Sequence, residues 1–436
     1  MTKTYEIKNR TNYDNSGLKL ILLLMIAYMI SYFGRKSYDS NMNEIIAYYG
    51  VSKSQAGLIG TFFFIVYACG QVFHGIMCKH YNPRIVLSSA LFIGAICNVV
   101  MGVMPVEGFK YLKYVWLING FAMASLWSVM IRLLNRSLSK KRLKQSLLAM
   151  AFPVSLGTFM IYGASALFSF LKRFKYTFYL AGIMLVAISV VIYFWLDKLV
   201  YKCKVERVET DGDLIPSAPT DKADYKNKTK IDSGFFVIFS VLAVFAIVNN
   251  FVKDGLTTWT PTIFTEKFKL ENWFSVLLTI LLPIFAVVGA TFAIRLSKKV
   301  KNYVLMCGIL YSMATVVLVL LLVFLKVNSW VITLICFMFV SAIMAGVNNV
   351  ITNIFPLQVK NVDAGLVAGL IDGFCYVGSA ISSFGLGVIV ESFNNNWDPV
   401  MYIFMGLCAL SVIICAVYIL INKIKTKKTT ENTENS

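Results

Sequence analysis

The chain has 436 residues, of which 58% are hydrophobic and only 14% are charged, and its formal net charge is +19. A soluble protein of this length would need many more polar side chains to cover two or three domains, so a soluble fold is excluded. The basic residues lie mainly in short segments between apolar runs, which is typical of membrane topology. We therefore expect a lipid bilayer around the protein and no nucleic-acid partner.

Twelve apolar runs follow one another along the chain. Each lies near or above the roughly 20 residues that cross a bilayer as a helix. In chain order, the predicted spans are residues 18–45, 55–78, 85–104, 114–134, 146–170, 176–196, 234–259, 273–296, 304–325, 330–355, 364–390 and 400–421. The pattern predicts an all-α membrane protein with twelve transmembrane helices in two six-helix halves.

A polar segment, residues 197–232, separates the sixth and seventh runs and contains Pro216 and Pro219. It is predicted to be a cytoplasmic linker between an N-terminal half, residues 1–196, and a C-terminal half, residues 233–422. Residues 423–436 form a basic and polar tail. The distribution of lysine and arginine predicts that both termini lie in the cytoplasm, with the spans in the plasma membrane.

One basic cluster contradicts this orientation rule. Lys172, Arg173 and Lys175 lie between the fifth and sixth spans, in a loop that the predicted orientation places outside the cell. The other basic segments outweigh this cluster, so the predicted orientation stands.

The two halves share a short polar motif within their first spans. Phe33 and Arg35 in the first span match Phe251 and Lys253 in the seventh, each roughly twenty residues after the span begins. Corresponding polar breaks in two halves are typical of transporters that are built from repeats and bind their substrate between them.

Arg35 and Lys253 are the two main candidates for substrate binding, because each places a positive charge inside a membrane span. A charged side chain in the middle of a span costs roughly 2.5–3.5 kcal/mol on insertion scales, so it tends to face a watery cavity or a partner. Two such cations indicate an anionic substrate, and the planar guanidinium suits phosphate oxygens. The alternative is that each cation pairs with a protein carboxylate. Asp39, Glu44, Asp254 and Asp372 are the candidates for such a pair, and Asp254 and Asp372 are also candidates for coupling transport to a proton.

Further candidates are polar and aromatic residues of the spans. For each of them, helix packing or an interhelical hydrogen bond is the alternative role. The candidates for the substrate cavity are Tyr32, Tyr38, Tyr67, Gln71, Trp127, Asn348, Asn349, Asn353 and Tyr376.

The sequence contains no nucleotide-binding loop, no spacing typical of metal ligands and no nucleophile motif. We therefore expect no enzymatic activity, no cofactor and no metal.

Several segments resemble the major facilitator superfamily and, within it, the organophosphate:phosphate antiporters, which include glycerol-3-phosphate and hexose-6-phosphate transporters. Tyr32-Phe33-Gly34-Arg35-Lys36 is similar to that family's Tyr-x-x-Arg-Lys motif, and Gly255-Leu256-Thr257-Thr258-Trp259-Thr260-Pro261-Thr262 to its Tyr-Gly-x-x-x-Trp-Ser-Pro-Thr segment. The other matching positions are Ser52-Lys53-Ser54-Gln55-Ala56-Gly57, Tyr67, Asn82-Pro83-Arg84, Trp127, Arg132, Ser139 and Lys141.

The resemblance implies a major facilitator fold, alternating access by rocking of the halves, and phosphate recognition by basic residues of helices one and seven, here Arg35 and Lys253. The chain departs from the family at three positions. Lys253 stands in place of an arginine, Gln71 in place of the lysine of glycerol-phosphate transporters, and Asp372 where glycine is usual. The family's helix-five histidine also has no counterpart.

Together these observations predict a monomeric secondary transporter of a small organic anion, with a sugar phosphate or glycerol phosphate as the first candidate. Phosphate exchange or proton coupling would drive it. The alternatives are a transporter-like sensor of an external sugar phosphate that carries no flux, and a transporter of a carboxylate or neutral solute.

Overall fold

The computed structural model describes residues 16–138, 142–143, 146, 150, 152–211, 233–324, 327–356 and 364–434. The described residues form α-helices with short 3-10 and π turns and contain no strand. Twelve helical segments are long and apolar enough to cross a membrane. The predicted all-α fold with twelve spans is thus confirmed for the described part of the chain.

The helices of the first six spans lie where the sequence predicts spans, although several of them begin or end some residues away from the predicted limits. They are α1 (Ser16–Ser40), α2 (Met42–Tyr49), α3 (Lys53–Met77), α4 (Pro83–Val103), α5 (Phe109–Ser137), α6 (Phe152–Phe170) and α7 (Lys175–Asp211). The predicted first span, residues 18–45, is divided at Asn41 between α1 and the short α2. Of the positions in the family resemblance, Ser139 and Lys141 lie outside the described residues.

The last six spans contain seven helices, because the eighth span is divided in two. They are α8 (Ser233–Phe268), α9 (Asn272–Thr279), α10 (Leu281–Lys299), α11 (Tyr303–Phe324), α12 (Trp330–Asn349), α13 (Ala364–Ser392) and α14 (Asp398–Glu434). A π-helix, Val350–Ile354, extends the tenth span after α12.

Two helices extend beyond the predicted limits of their spans. α7 continues to Asp211 through the start of the predicted linker, and α14 continues to Glu434 through the predicted tail. Both extensions contain lysine and glutamate, which are good helix formers and readily continue a helix that the membrane has already nucleated. Residues 212–232 of the predicted linker and residues 435–436 of the tail lie outside the described residues.

The helices group into two compact units. The first comprises Met1–Tyr49 and Phe62–Lys230, and the second comprises Gly50–Thr61 and Ile231–Ser436. The beginning of α3 therefore groups with the second unit, although its position in the sequence assigns it to the first half.

Side-chain caps fix the beginnings of α3 and α4. Ser52 and Gln55 form a reciprocal capping box, in which the Ser52 N–H donates to Gln55 Oε1 and the Gln55 N–H donates to Ser52 Oγ. Asn82 accepts a hydrogen bond from the Arg84 N–H, with Pro83 at the first helical position. These local signals explain why α3 and α4 start where the sequence indicates.

Each unit repeats two helix pairings. In the first unit α1 packs against α6 and α4 against α7, and in the second α8 packs against α13 and α11 against α14. Gly157 brings α6 against the backbone of Met29, and Gly378 brings α13 against that of Ile247, where a Cβ would clash with a carbonyl oxygen. The same pairings in both units agree with the repeat indicated by the sequence.

Candidate functional site

Arg35 lies buried in α1 with 6% of its surface exposed. Its Cζ lies 4.5 Å from the centroid of the Tyr32 ring, one turn earlier in the same helix, and 4.4 Å from that of Tyr67 in α3. Cation–π contacts of this kind contribute about 0.5–2 kcal/mol each and stabilise the cation without neutralising it. The guanidinium therefore keeps its positive charge at membrane depth.

A continuous row of aromatic rings supports this cation. Tyr28 contacts Tyr32 edge to face at a centroid distance of 5.6 Å, and it contacts Trp127 of α5 at 5.3 Å. On the other side, Tyr67 stacks on Phe63 of α3 at 5.7 Å. The structure thus connects Trp127, Tyr32 and Tyr67 to Arg35 through ring contacts within the first unit.

Two asparagines hold the backbone immediately before Arg35. Asn98 of α4 and Asn119 of α5 both donate from Nδ2 to the Gly34 carbonyl, at 3.2 and 2.8 Å. Asn98 also donates to the Gly94 carbonyl and accepts a 2.6 Å hydrogen bond from Ser37. Both asparagines are fully buried, so they fix the position of α1, and with it Arg35, against two neighbouring helices.

Leucine at these two positions should reveal their unequal contributions to stability. An interhelical hydrogen bond in a membrane protein contributes about 0.6 kcal/mol on average. We expect Asn98→Leu, which loses two interhelical hydrogen bonds and one within α4, to lower the free energy of unfolding by about 1–2 kcal/mol. Asn119→Leu loses one bond and also removes an acceptor, Oδ1, that has no hydrogen-bond partner, so we expect a loss below about 1 kcal/mol. Thermal unfolding in detergent measures both, and equal losses would contradict this assignment.

The remaining first-unit candidates occupy different surroundings. Tyr38 is fully buried against Trp116 of α5, with ring centroids 5.5 Å apart. Gln71 is 6% exposed and lies one helical turn after Tyr67 on the same face of α3. Lys36, the neighbour of Arg35, forms a 2.7 Å ion pair with Asp39 within its own helix.

In the second unit, α8 presents two asparagines one turn before Lys253 and Asp254. Asn249 Nδ2 donates to Asn250 Oδ1 at 3.0 Å, and Asn250 Nδ2 lies 3.4 Å from Asp254 Oδ2. The ammonium of Lys253 lies 3.8 Å from Asp254 Oδ1, and the two side chains are 26% and 13% exposed. The carboxylate within 4 Å of Lys253 is therefore that of its neighbour in sequence.

Ser379 of α13 is a hydrogen-bond partner of Asp254 from a neighbouring helix. Its hydroxyl donates to Asp254 Oδ2 at 2.5 Å and accepts from Asn250 Nδ2 at 3.2 Å. Cys375, one turn earlier in α13, has Asp372, Lys253 and Asp254 as charged neighbours. The structure therefore gathers Lys253 and both coupling candidates around one part of the α8 and α13 pair.

α12 contributes to this cluster through Asn348 rather than through the neighbouring candidate Asn349. Asn348 Oδ1 lies 3.4 Å from Asn249 Nδ2, whereas Asn349 donates from Nδ2 to the Ala290 carbonyl of α10 at 3.0 Å. Asn349 also accepts a hydrogen bond from Asn353. The structure thus gives Asn349 a contact between α12 and α10. Tyr376 is half-buried on α13, one turn after Asp372.

Sequence reasoning did not select Asn98, Asn119, Asn250 or Ser379 as site residues. The three asparagines could have been found by the rule applied to Arg35, because an amide in an apolar span also needs a partner. The serine gave no comparable signal, since serine is common in transmembrane helices.

Comparison with known proteins agrees with this arrangement. The family model described as Major Facilitator Superfamily matches residues 24–383. The chain belongs to the Major Facilitator Superfamily. The prediction of a membrane transport protein rather than an enzyme is confirmed by this membership, and so is the predicted resemblance at the level of the superfamily.

Relatives within the superfamily have names that refer to phosphate esters. The chain is 24% identical to the glycerol-3-phosphate transporter of Bacillus subtilis over 92% of this chain and 93% of that protein. It is 30% identical to a probable hexose phosphate transport protein of Chlamydia trachomatis and to the membrane sensor protein UhpC of Escherichia coli. These two matches cover 30% and 28% of this chain but only 28% and 27% of the respective relatives.

Solved structures of other superfamily members share the fold. The D-xylose-proton symporter superposes with a TM-score of 0.69 at 13% identity, covering 92% of this chain and 97% of that one. A bacterial homologue of the human lysosomal transporter Spinster gives a TM-score of 0.68 at 15% identity, covering 94% and 97%. The predicted major facilitator fold is confirmed by these matches.

Proposed function

We propose that the chain is a secondary active transporter of a small organic phosphate, either a sugar phosphate or a glycerol phosphate. It works in the plasma membrane by alternating access, with both termini in the cytoplasm. The observation that carries this proposal is Arg35, a buried guanidinium held in the first span by two tyrosine rings. A buried guanidinium at membrane depth can bind an anion through charge-assisted hydrogen bonds.

The chemistry of the two candidate cations favours a phosphate ester. The guanidinium of Arg35 presents planar N–H donors that match two phosphate oxygens, and Lys253 adds a compact positive charge from the other half of the chain. The names of the glycerol-3-phosphate and hexose phosphate relatives support the same class of substrate.

Two driving forces for transport fit the candidate residues. In phosphate exchange, inorganic phosphate would occupy the same cations as the ester and leave by the reverse path. In proton coupling, Asp254 or Asp372 would take up a proton, and Asp254 accepts a 2.5 Å hydrogen bond from Ser379 of α13. The two mechanisms are distinguished by the gradient that drives uptake.

Counterflow in proteoliposomes tests the proposal. Vesicles loaded with inorganic phosphate should take up labelled glycerol 3-phosphate or glucose 6-phosphate faster than vesicles loaded with sulfate. A third arm imposes an inward proton gradient without internal phosphate and identifies proton coupling. Protein-free vesicles provide the background. Absence of uptake in both driven arms, with protein that is folded by thermal unfolding, would refute transport of these phosphates.

A sensor is the second candidate, because one relative is named as a membrane sensor protein. A sensor would bind a sugar phosphate yet carry no flux. Ligand-induced thermal stabilisation without uptake would support the sensor, since any ligand of the folded state raises its apparent stability. Stabilisation by carboxylates or neutral sugars in place of phosphates would favour the remaining alternative, a transporter of another solute.

A further inference from the structure

A group of basic residues lies at one end of the first unit and is not used by the proposed site. It consists of Lys110 and Lys113 at the beginning of α5, Lys172 and Arg173 in the loop after α6, and Lys175 at the beginning of α7. We refer to these five residues as the outer basic patch, because the predicted orientation places this end outside the cell.

Aromatic contacts bring the segments of the patch together. The Tyr48 ring at the end of α2 lies 5.6 Å from Phe174 and 4.9 Å from Tyr49, and Tyr49 lies 5.3 Å from Phe109 at the beginning of α5. Lys175 donates to the Tyr48 hydroxyl at 2.8 Å. The loop after α6, the beginning of α5 and the end of α2 therefore form one continuous surface.

The patch keeps a positive charge. Residues 42–49, 104–114 and 170–176 contain five basic and two acidic residues, a net charge of +3. Glu44, one of the two acids, contacts Ser169 and is partly covered. Burial, with a smaller contribution from Tyr48, raises the pKa of Tyr49 to about 12, so this phenol stays neutral at physiological pH. Lys172 and Arg173 are exposed to solvent.

The conformation of Lys172 shows that local backbone geometry does not favour a lysine there. Its φ is +56°, in the left-handed region that glycine adopts most easily. The Arg173 N–H donates to the Phe168 carbonyl and the Lys172 N–H to the Ser169 carbonyl, which is the hydrogen-bonding pattern that ends a helix with glycine. The lysine side chain at this position therefore has a role other than stabilising the turn.

Membrane topology does not explain the patch either. Lysine and arginine in short loops favour the cytoplasmic side, whereas the predicted orientation places this patch outside the cell. We infer that the outer basic patch attracts the anionic substrate from the external solution towards α1. From Tyr48 back to Arg35 is about 20 Å at 1.5 Å per helical residue, so the field of the patch reaches the site at low ionic strength. This inference rests on the proposed transport of an organic phosphate.

Reversing two charges tests the inference in sided membrane vesicles. We expect Lys172→Glu combined with Arg173→Glu to raise the KM for glucose 6-phosphate about fivefold to tenfold in right-side-out vesicles at about 10 mM ionic strength. At about 0.5 M of an inert salt the difference should fall below about twofold, because the field is then screened within a few ångströms. The maximal rate should stay unchanged.

Inverted vesicles provide the control within the same protein. Substrate then enters from the other face, so the double reversal should leave KM unchanged. Lys298→Glu with Lys299→Glu, an exposed pair at the end of α10 on the predicted inner side, is the matched variant. It should leave KM unchanged in right-side-out vesicles. A KM ratio that is independent of salt, or equal on both faces, would overturn the inference.

A gentler variant guards against misfolding. Lys172→Gly removes one charge and suits the positive φ, so it should fold as well as the native chain and raise KM about twofold at low salt. If the double reversal instead lowers the maximal rate, and removal of anionic phospholipid restores it, the patch is a lipid contact and attraction of substrate is wrong. If the native protein shows no uptake at any salt concentration, the proposed function fails before this inference is reached.

Discussion

Arg35→Gln should abolish phosphate binding while the protein remains folded. A bidentate guanidinium forms two charge-assisted hydrogen bonds to a phosphate, each contributing about 1.5–3 kcal/mol. Their loss weakens binding by a factor of about 100 or more. Glutamine keeps a polar side chain of similar length next to the rings of Tyr32 and Tyr67, so we expect a small change in the free energy of unfolding. Ligand-induced thermal shift and equilibrium binding of labelled ester measure the two effects separately.

Graded variants distinguish charge from geometry at this position. Arg35→Lys keeps the charge but loses the planar pair of donors, and we expect binding to weaken about tenfold. Tyr67→Phe preserves the ring that contacts the guanidinium and serves as the matched control, with binding expected to stay within about threefold. Native affinity in Arg35→Gln would remove this residue from the site, and equal loss in all three variants would indicate damage to the fold.

The positions of the spans follow from the sequence because the bilayer imposes a simple length rule on apolar runs. The ends of the soluble helical extensions do not follow from it. α7 and α14 continue beyond the apolar runs, through stretches that mix charged helix formers with other polar and scattered apolar residues. Helix propensity extends a helix that the membrane has nucleated, and Cys203 in the α7 extension is buried, so packing contributes as well.

The charged residues of the candidate site could be predicted from the sequence, because a charge in hydrocarbon is costly. The asparagines of the site were harder to predict. Arg35 and Lys253 were identified because a cation in hydrocarbon demands an explanation. The choice between Asn348 and Asn349 depends on the rotation of α12 against α8, which no local pattern determines. The structure directs Asn348 to Asn249 and Asn349 to the backbone of α10.

The partner of Lys253 shows the same limit of sequence reasoning. Adjacent residues on a helix point about 100° apart, so neighbours in sequence need not be partners. The lysine side chain is long enough to span this angle, and its ammonium reaches within 3.8 Å of Asp254 Oδ1. The same carboxylate turns its other oxygen to Ser379, which helps to fix it in place.

Lys253→Gln should weaken phosphate binding about tenfold, because one of the two candidate cations is lost. It should also destabilise the fold by about 1 kcal/mol, since it leaves the partly buried carboxylate of Asp254 without its positive neighbour. The double variant Lys253→Gln with Asp254→Asn should recover most of this stability but not the binding. Thermal unfolding and ligand binding of the four members of this double-mutant cycle separate the two roles.

A second cycle, with Asp372→Asn in place of Asp254→Asn, identifies the partner. The carboxylate within 4 Å of Lys253 is that of Asp254, so we expect the stability changes of Lys253→Gln and Asp372→Asn to add, whereas the first cycle should show a coupling of about 1 kcal/mol. The reverse result would assign the ion pair to Asp372 and leave Asp254 as the candidate for coupling. If both single variants at Lys253 and Asp254 bind phosphate normally, neither residue is needed for the anion site, which then depends on Arg35. The correspondence between the two halves would in that case extend to the fold but not to substrate binding.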